Sequence, residues 1–279
     1  MVTIDLEWNN AYVDSVKRMV NIVISIGAVK TDEQGNIIET FHELVKPPVK
    51  MKLKGYVKKL TNISDFDLKS GKSFKEALTA LGKFIDDDIC LFWGQSDMAV
   101  LIENCSVFLN KKYVPFINRF IDAMEYCNSK SDFGKGQQLS LTDFCTKIGI
   151  DTDEFIAHEP TDDAIMAFRC FEKLGGLEIS DEFITVCDAE YFARKAFRNR
   201  KITKLTDSAL HEKDLQCNCP NCGKKMDRKG SFVNNGNLFQ TRFSCDNCKR
   251  EYFATMSFTL KYDGVKRHCS LRRWKNKDK

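Results

Sequence analysis

The chain opens with an alternation of polar and apolar residues. Residues 3–8 read Thr-Ile-Asp-Leu-Glu-Trp, the two-residue period of a β-strand. Asp5 and Glu7 therefore share one face, with Cα atoms about 6.6 Å apart. Two carboxylates at that separation can converge on a pair of divalent ions. An ordinary strand with one solvent-exposed face gives the same pattern.

Further apolar patterns predict the elements around this strand. Residues 20–29 and 37–45 are apolar, β-branched runs separated by a Gln-Gly-Asn turn, which predicts a β-hairpin. Ser73 and Glu76 have capping-box spacing and begin a helix. A short buried strand is predicted over residues 89–93. Strands that alternate with helices after a hairpin predict an α/β fold, a mixed β-sheet flanked by helices.

Three more polar residues lie where predicted elements meet. Asp97 follows the strand that ends at Trp93 and lies at the start of a helix. His158 is on a loop, and Asp163 is in the first turn of a helix for which Thr161 is the predicted N-cap. Each has an ordinary explanation: a capping aspartate, an exposed histidine, and an acid that complements the helix dipole. Side chains at the carboxyl ends of strands can also enter a common crevice.

The length of the chain and the distribution of its charges indicate two domains. The 279 residues, 43% of them apolar, suit one large domain and a small one. The sequence shows neither a bilayer-spanning apolar run nor a signal segment, so we expect an intracellular, cytoplasmic protein without membrane association. Residues 190–279 contain 22 Lys and Arg against 9 Asp and Glu, a net charge of +13, whereas residues 1–189 carry −9. A carboxylate-rich site joined to a polyanion-binding module would have this asymmetry.

The C-terminal part contains two C-x-x-C motifs separated by 22 residues. Cys219, Cys222, Cys245 and Cys248 would supply four thiolates, the closed ligand set of one structural Zn²⁺. The hairpin predicted between the motifs makes this segment similar to a zinc ribbon. Cys217 is a competing ligand, disfavoured because its spacing to Cys219 is too tight for a knuckle.

Basic and aromatic residues are interleaved around these cysteines. Basic side chains with exposed rings can bind single-stranded nucleic acid, but for most of these rings the core of the ribbon is the favoured location. A basic tail at residues 266–279 would contact phosphates or remain solvated. The aromatic residues concerned are Phe232, Phe239, Phe243, Tyr252 and Phe253.

Taken in order, the polar motifs of the first part resemble those of the DEDDh 3′-to-5′ exonuclease family. They are Asp5-x-Glu7, Trp93-Gly-x-x-Asp97 and His158-x4-Asp163-Ala. The resemblance covers residues 1 to 177 and implies a ribonuclease H-like fold. The Trp-Gly segment is similar to the Eri1/3′hExo-like branch, whose members mostly act on RNA. Asn9 departs from the pattern, because a threonine often follows the first motif.

The resemblance implies a mechanism and a substrate. Asp5, Glu7, Asp97 and Asp163 would bind two Mg²⁺ or Mn²⁺ ions, with His158 as general base, and the enzyme would release 5′-mononucleotides from the 3′ end of single-stranded nucleic acid. RNA is favoured over DNA. A DNA exonuclease and a non-catalytic nucleic-acid-binding protein are the alternatives.

The predicted domain organisation has four segments. An exonuclease domain covers residues 1–177, a basic helix and linker 178–215, the zinc ribbon 216–265, and the basic tail 266–279. Protein partners and oligomeric state are not predicted.

Overall fold

A computed structural model describes residues 1–132 and 139–274 of the chain. The chain divides into two compact units, Met1–Ala196 and Phe197–Lys279. No helix within the described ranges is long and apolar enough to cross a membrane.

The first unit is built on a seven-stranded mixed sheet. Its spatial order is β4-β3-β2-β1-β5-β6-β7. The strands are β1 (Val2–Val13), β2 (Arg18–Thr31), β3 (Ile37–Lys46), β4 (Lys72–Ser73), β5 (Cys90–Phe92), β6 (Arg119–Asp122) and β7 (Ile184–Val186). The β1–β2–β3 meander is antiparallel, whereas β5 runs parallel to β1 and β6 parallel to β5. The predicted α/β architecture with a mixed sheet is confirmed.

Helices and short turns connect the strands. The α-helices are α1 (Gly55–Thr61), α2 (Asp67–Ser70), α3 (Phe74–Ile85), α4 (Ser96–Leu109), α5 (Ala123–Lys130), α6 (Leu141–Lys147), α7 (Pro160–Lys173) and α8 (Ala189–Ala196); 3₁₀ turns lie at Gly176–Glu178 and Asp181–Phe183. Ser73 and Glu76 form the predicted capping box of α3. Because β2 is buried over most of its length, it reads as a continuous apolar run rather than an alternating one.

The second unit has its own five-stranded antiparallel sheet. It contains β8 (Arg200–Ile202), β9 (Asp227–Asn235), β10 (Leu238–Cys245), β11 (Arg250–Lys261) and β12 (Gly264–Arg273), with a 3₁₀ turn at Glu212–Leu215. The order is β12-β11-β10-β9, and β8 pairs with β11. Phe239, Phe243, Tyr252 and Phe258 are buried in its core. Three of the five aromatic residues named from the sequence, Phe239, Phe243 and Tyr252, are therefore core residues, as favoured from the sequence.

The structure divides the chain differently from the predicted segments. Helix α8 belongs to the first unit, and Arg200–Ile202, expected within the basic helix and linker, form a strand that pairs with β11. The expected tail contains most of β12, where Cys269 and Leu271 pack against the core of the second unit. Its many basic residues obscured the alternating pattern of an edge strand.

Candidate active site

Strand β1 places two carboxylates at the centre of the first sheet. Val2, Ile4 and Leu6 are almost fully buried, while Asp5 and Glu7 are only half-buried. Asp5 pairs with Gly27 on β2. The alternation seen in the sequence therefore anchors the strand through its apolar face and directs both acids into one cavity.

Gly27 lets helix α7 approach the sheet. A Cβ at this position would lie 2.2 Å from the carbonyl carbon of Pro160 and 2.3 Å from the nitrogen of Thr161. Helix α7 begins at Pro160, with Glu159 as N-cap accepting a hydrogen bond from the Asp162 amide. The prediction of Thr161 as N-cap is wrong by two residues, because proline fits the first helical position and leaves Glu159 as the N-cap. The close approach brings the first turn of α7, including Asp163, next to Asp5.

Asp97 enters the cavity from the junction between β5 and α4. Its side chain is buried, and its Oδ1 accepts a hydrogen bond of 3.0 Å from the Leu6 amide. The N-cap of α4 is Gln95, not Asp97. The ordinary explanation of Asp97 as a helix cap is therefore wrong: the carboxylate is tied across the sheet to β1.

His158 adopts a left-handed backbone conformation, with φ of 65°. Its amide donates a hydrogen bond of 3.2 Å to Asp163 Oδ2, and its Nδ1 lies 3.7 Å from Glu7 Oε1. The imidazole is 48% exposed. The loop thus holds the ring at the open side of the cavity, beside the carboxylates.

All five predicted polar residues line one cavity of about 390 Å³. Its walls also include Trp8, Trp93 and part of helix α1. The complete lining is Asp5, Leu6, Glu7, Trp8, Tyr56, Val57, Leu60, Thr61, Trp93, Ser96, Asp97, His158 and Asp163. Tyr56 and Leu60 are exposed apolar residues, and their position in the wall of the cavity was not predicted.

The four acids repel one another in a poorly solvated space. Burial, then the charges of Asp97, Asp163 and Glu7, raise the pKa of Asp5 well above its usual range. Burial, then the charges of Asp163 and Asp97, raise the pKa of Glu7 to about 8. Burial also raises the pKa of Asp97 and that of Asp163 to about 7 each, although amide hydrogen bonds partly oppose it. Full ionisation at neutral pH therefore requires a cation.

The donor set fits hard divalent cations. Carboxylate oxygens are the ligands that Mg²⁺ and Mn²⁺ prefer, and their mutual repulsion is relieved by positive charge. Ligand atoms of Glu7, His158 and Asp163 lie within 4.8 Å of one another. His158, predicted as a base, is thus close enough to the acids to contact the same ion or its water.

Asn9, noted as a departure from the family pattern, holds the segment that leads into α1. Its buried side chain accepts a hydrogen bond of 3.0 Å from the Lys54 amide and donates to the Lys52 carbonyl at 3.4 Å. Helix α1 starts at the next residue, Gly55. Asn9 therefore fixes the wall of the cavity formed by α1 without itself lining it.

The second unit contains the other predicted cluster. The sulfurs of Cys219, Cys222, Cys245 and Cys248 lie within 4.8 Å of one another. Individual separations are 3.9 Å between Cys219 and Cys248 and 3.5 Å between Cys222 and Cys245. The edge of a tetrahedron with Zn–S bonds of about 2.3 Å is about 3.8 Å, so the four sulfurs fit one Zn²⁺. Cys217 instead lies 3.5 Å from Cys269.

The first unit thus has four carboxylates and a histidine around one open cavity on a mixed α/β sheet. The family model RNase_T, described as an exonuclease, matches residues 2–171. The chain therefore belongs to this exonuclease family and is a phosphodiester hydrolase with the predicted ribonuclease H-like fold. The predicted family and fold are confirmed. A search of curated proteins gives no match.

Solved structures share the fold at low sequence identity. The nuclease domain of 3′hExo, a DEDDh family member bound to rAMP, has a TM-score of 0.52 and 22% identity over 62% of this chain and 92% of that chain. A 3′-exonuclease that recognises the histone mRNA stem-loop gives 0.51 and 18%, over 68% and 91%. Cell-death related nuclease 4 (CRN-4) gives 0.52 and 15%, over 63% and 64%.

Proposed function

We propose that the first unit removes 5′-mononucleotides one at a time from the 3′ end of single-stranded nucleic acid, with RNA preferred over DNA. The observation that carries the proposal is the convergence of Asp5, Glu7, Asp97, His158 and Asp163 on one cavity. These residues come from three separate regions of the sequence. Structural roles alone do not account for four mutually repelling carboxylates in one cavity.

In this proposal the four acids and the histidine have different roles. Asp5, Glu7, Asp97 and Asp163 hold two Mg²⁺ or Mn²⁺ ions. When bound, such ions neutralise the scissile phosphate and the departing 3′-oxygen. His158, on the open side of the cavity, accepts the proton of the attacking water. The Leu6 and His158 amides orient Asp97 and Asp163 respectively.

The preference for RNA is supported by the fold relatives and by the branch that the Trp93–Asp97 segment resembles. One relative was solved with rAMP, and another recognises an mRNA stem-loop. DNA is the competing substrate. Matched RNA and DNA oligonucleotides, compared by kcat/KM, separate the two, and a value for DNA equal to or above that for RNA would overturn the preference.

The reaction itself is tested with end-labelled strands and Mg²⁺ or Mn²⁺. A 3′ label should appear at once as a labelled mononucleotide, whereas a 5′ label should give a ladder of shortened strands. Asp5→Asn should abolish both, and Asp153→Asn, the same change at an exposed loop residue, should not. Full activity of Asp5→Asn, or failure of the wild-type chain to shorten any strand, would refute the proposal.

We also propose that Cys219, Cys222, Cys245 and Cys248 bind one structural Zn²⁺. The fit of the four sulfurs supports this assignment. A sheet this small has a limited core and gains stability from a metal that crosslinks its loops. Elemental analysis should find one zinc per chain.

A further inference from the structure

The sheet of the second unit has two chemically different faces. One face carries the buried core, including Phe239, Phe243 and Met256. Side chains alternate along each strand, so the neighbours of these residues project from the other face. That second face, termed here the outer face, carries mostly charged and hydroxyl-bearing side chains together with a few apolar ones, Val233, Phe253 and Trp274.

A row of side chains crosses the outer face. Arg242 on β10 pairs with Lys229 on β9 and with Phe253 on β11, and Phe253 pairs with Arg272 on β12. Directly paired residues project from the same face of a sheet. The row therefore places three cations beside one aromatic ring. Lys229, Arg242 and Arg272 are exposed.

A second ring extends this row into an aromatic platform. Trp274 continues the β12 pairing, since its amide donates to the Glu251 carbonyl at 2.9 Å. Its indole stacks on Phe253 with centroids 6.0 Å apart and an interplanar angle of 30°. The Arg242 guanidinium lies 5.4 Å from the centroid of the indole. Trp274 is 39% exposed, so part of a large planar ring remains open to solvent.

The charge of this face favours a polyanion. Two acids lie near the platform, Asp227 and Glu251, and Glu251 is 3.9 Å from Arg242. Beyond the platform, Lys201 and Lys266 flank Thr259 on the same face. Between the two groups of cations the outer face carries mostly uncharged polar side chains, Gln240, Thr255, Ser257 and Ser270, with Val233 beside Gln240 and His268 beside Ser257.

We propose that the outer face binds single-stranded polynucleotide, with an unpaired base stacked on Trp274 and Phe253 and phosphates contacted by Lys229, Arg242 and Arg272. A ring open to solvent can stack on a base that is already unstacked, which favours single strands over duplexes. Stacking and phosphate contacts carry little sequence information. This inference rests on the proposed function, because it assumes the same class of ligand, a polynucleotide.

Binding is measured with the full chain carrying Asp5→Asn, so that the probe is not degraded. The probe is a fluorescein-labelled oligouridylate, followed by fluorescence anisotropy between about 50 and 200 mM salt. Combined Arg242→Ala and Arg272→Ala should weaken binding about ten-fold and lower the slope of log K against log salt by about 1.4. Trp274→Ala should weaken it at least about five-fold.

Two matched control variants distinguish loss of contacts on the outer face from a general loss of positive charge and from misfolding. Arg273 neighbours Arg272 but pairs with the buried Tyr252, so it projects from the opposite face; Arg273→Ala should leave the affinity within about two-fold. Trp274→Phe keeps a ring and should retain most of the binding. Equal losses for Arg272→Ala and Arg273→Ala, or unchanged affinity for Trp274→Ala, would overturn the proposal.

A separate assay distinguishes this inference from the proposed function. With Asp5 restored, the outer-face variants should cleave a dinucleotide at the wild-type rate but should have a raised KM for the long strand. Loss of dinucleotide cleavage would contradict the inference. If the wild-type chain cleaves nothing while the variants change binding as expected, the proposed function is refuted, but binding of polynucleotide by the outer face is supported.

Discussion

Replacing Asp97 by asparagine should stabilise the first unit at neutral pH while abolishing hydrolysis. Asp97 is 5% exposed, and burial raises its pKa from 3.8 to about 7. An asparagine oxygen can still accept the hydrogen bond that the Leu6 amide donates to Asp97 Oδ1. The substitution therefore removes the charge of this side chain and keeps its main contact.

The sign of the effect follows from proton binding. Between about pH 4 and pH 7 the folded protein holds a proton on Asp97 that the unfolded chain has lost, so the free energy of unfolding falls as the pH rises through this range. At about 1.4 kcal/mol for each pH unit, the ionised carboxylate destabilises the metal-free fold by on the order of 4 kcal/mol above pH 7. For a unit of this size, such a difference corresponds to on the order of 10 °C in Tm.

Differential scanning calorimetry of metal-depleted protein provides the assay. Wild-type and Asp97→Asn chains should unfold at similar temperatures near pH 4, and the variant should unfold at a higher temperature near pH 8. Added Mg²⁺ should raise the Tm of the wild type at pH 8 more than that of the variant, because it binds the ionised acids. A variant that is less stable than the wild type by the same amount at both pH values would refute the electrostatic reasoning.

Three further substitutions test other parts of the structure. His158→Ala should lower kcat by about 10²- to 10⁴-fold while Mg²⁺ still stabilises the fold; an unchanged kcat would remove His158 from the mechanism. Gly27→Ala should displace α7, which should lower the free energy of unfolding by about 1–3 kcal/mol and also lower the activity. Gly55→Ala is the control: nothing lies within 4 Å of its added Cβ, so it should change neither quantity. Cys245→Ser should lose zinc by elemental analysis and Cys217→Ser should keep it; zinc retained by the first variant would contradict the assigned ligand set.

Local patterns were enough to predict most elements of the first sheet. The alternation of residues 3–8, the apolar runs of β2 and β3, and the capping box of α3 each encode structure within a short window. Strands β8 and β12 were missed because their sequences are dominated by basic residues. Their pairing partner β11 supplies the apolar contacts, and that information is not local.

The polar residues of the site were predicted by type and order, but their geometry was not. Asp97 is oriented by the amide of Leu6, and Asp163 reaches the cavity because Gly27 has no side chain. Both effects join segments far apart in the sequence, so no spacing rule reveals them. The role of Asn9 in holding the start of α1 is hidden for the same reason.

The electrostatic cost of the carboxylate cluster explains why residues that each have an ordinary structural explanation indicate a functional site when they lie together. A single helix cap or first-turn acid stabilises a fold, whereas the cluster of four carboxylates has raised pKa values and destabilises it when ionised. Selection for stability alone would replace at least one of them, since an amide at Asp97 keeps the hydrogen bond without the charge. The presence of all four, with backbone amides directed at two of them, therefore supports the proposed role of the cluster in binding positive charge and is not explained by a contribution to stability.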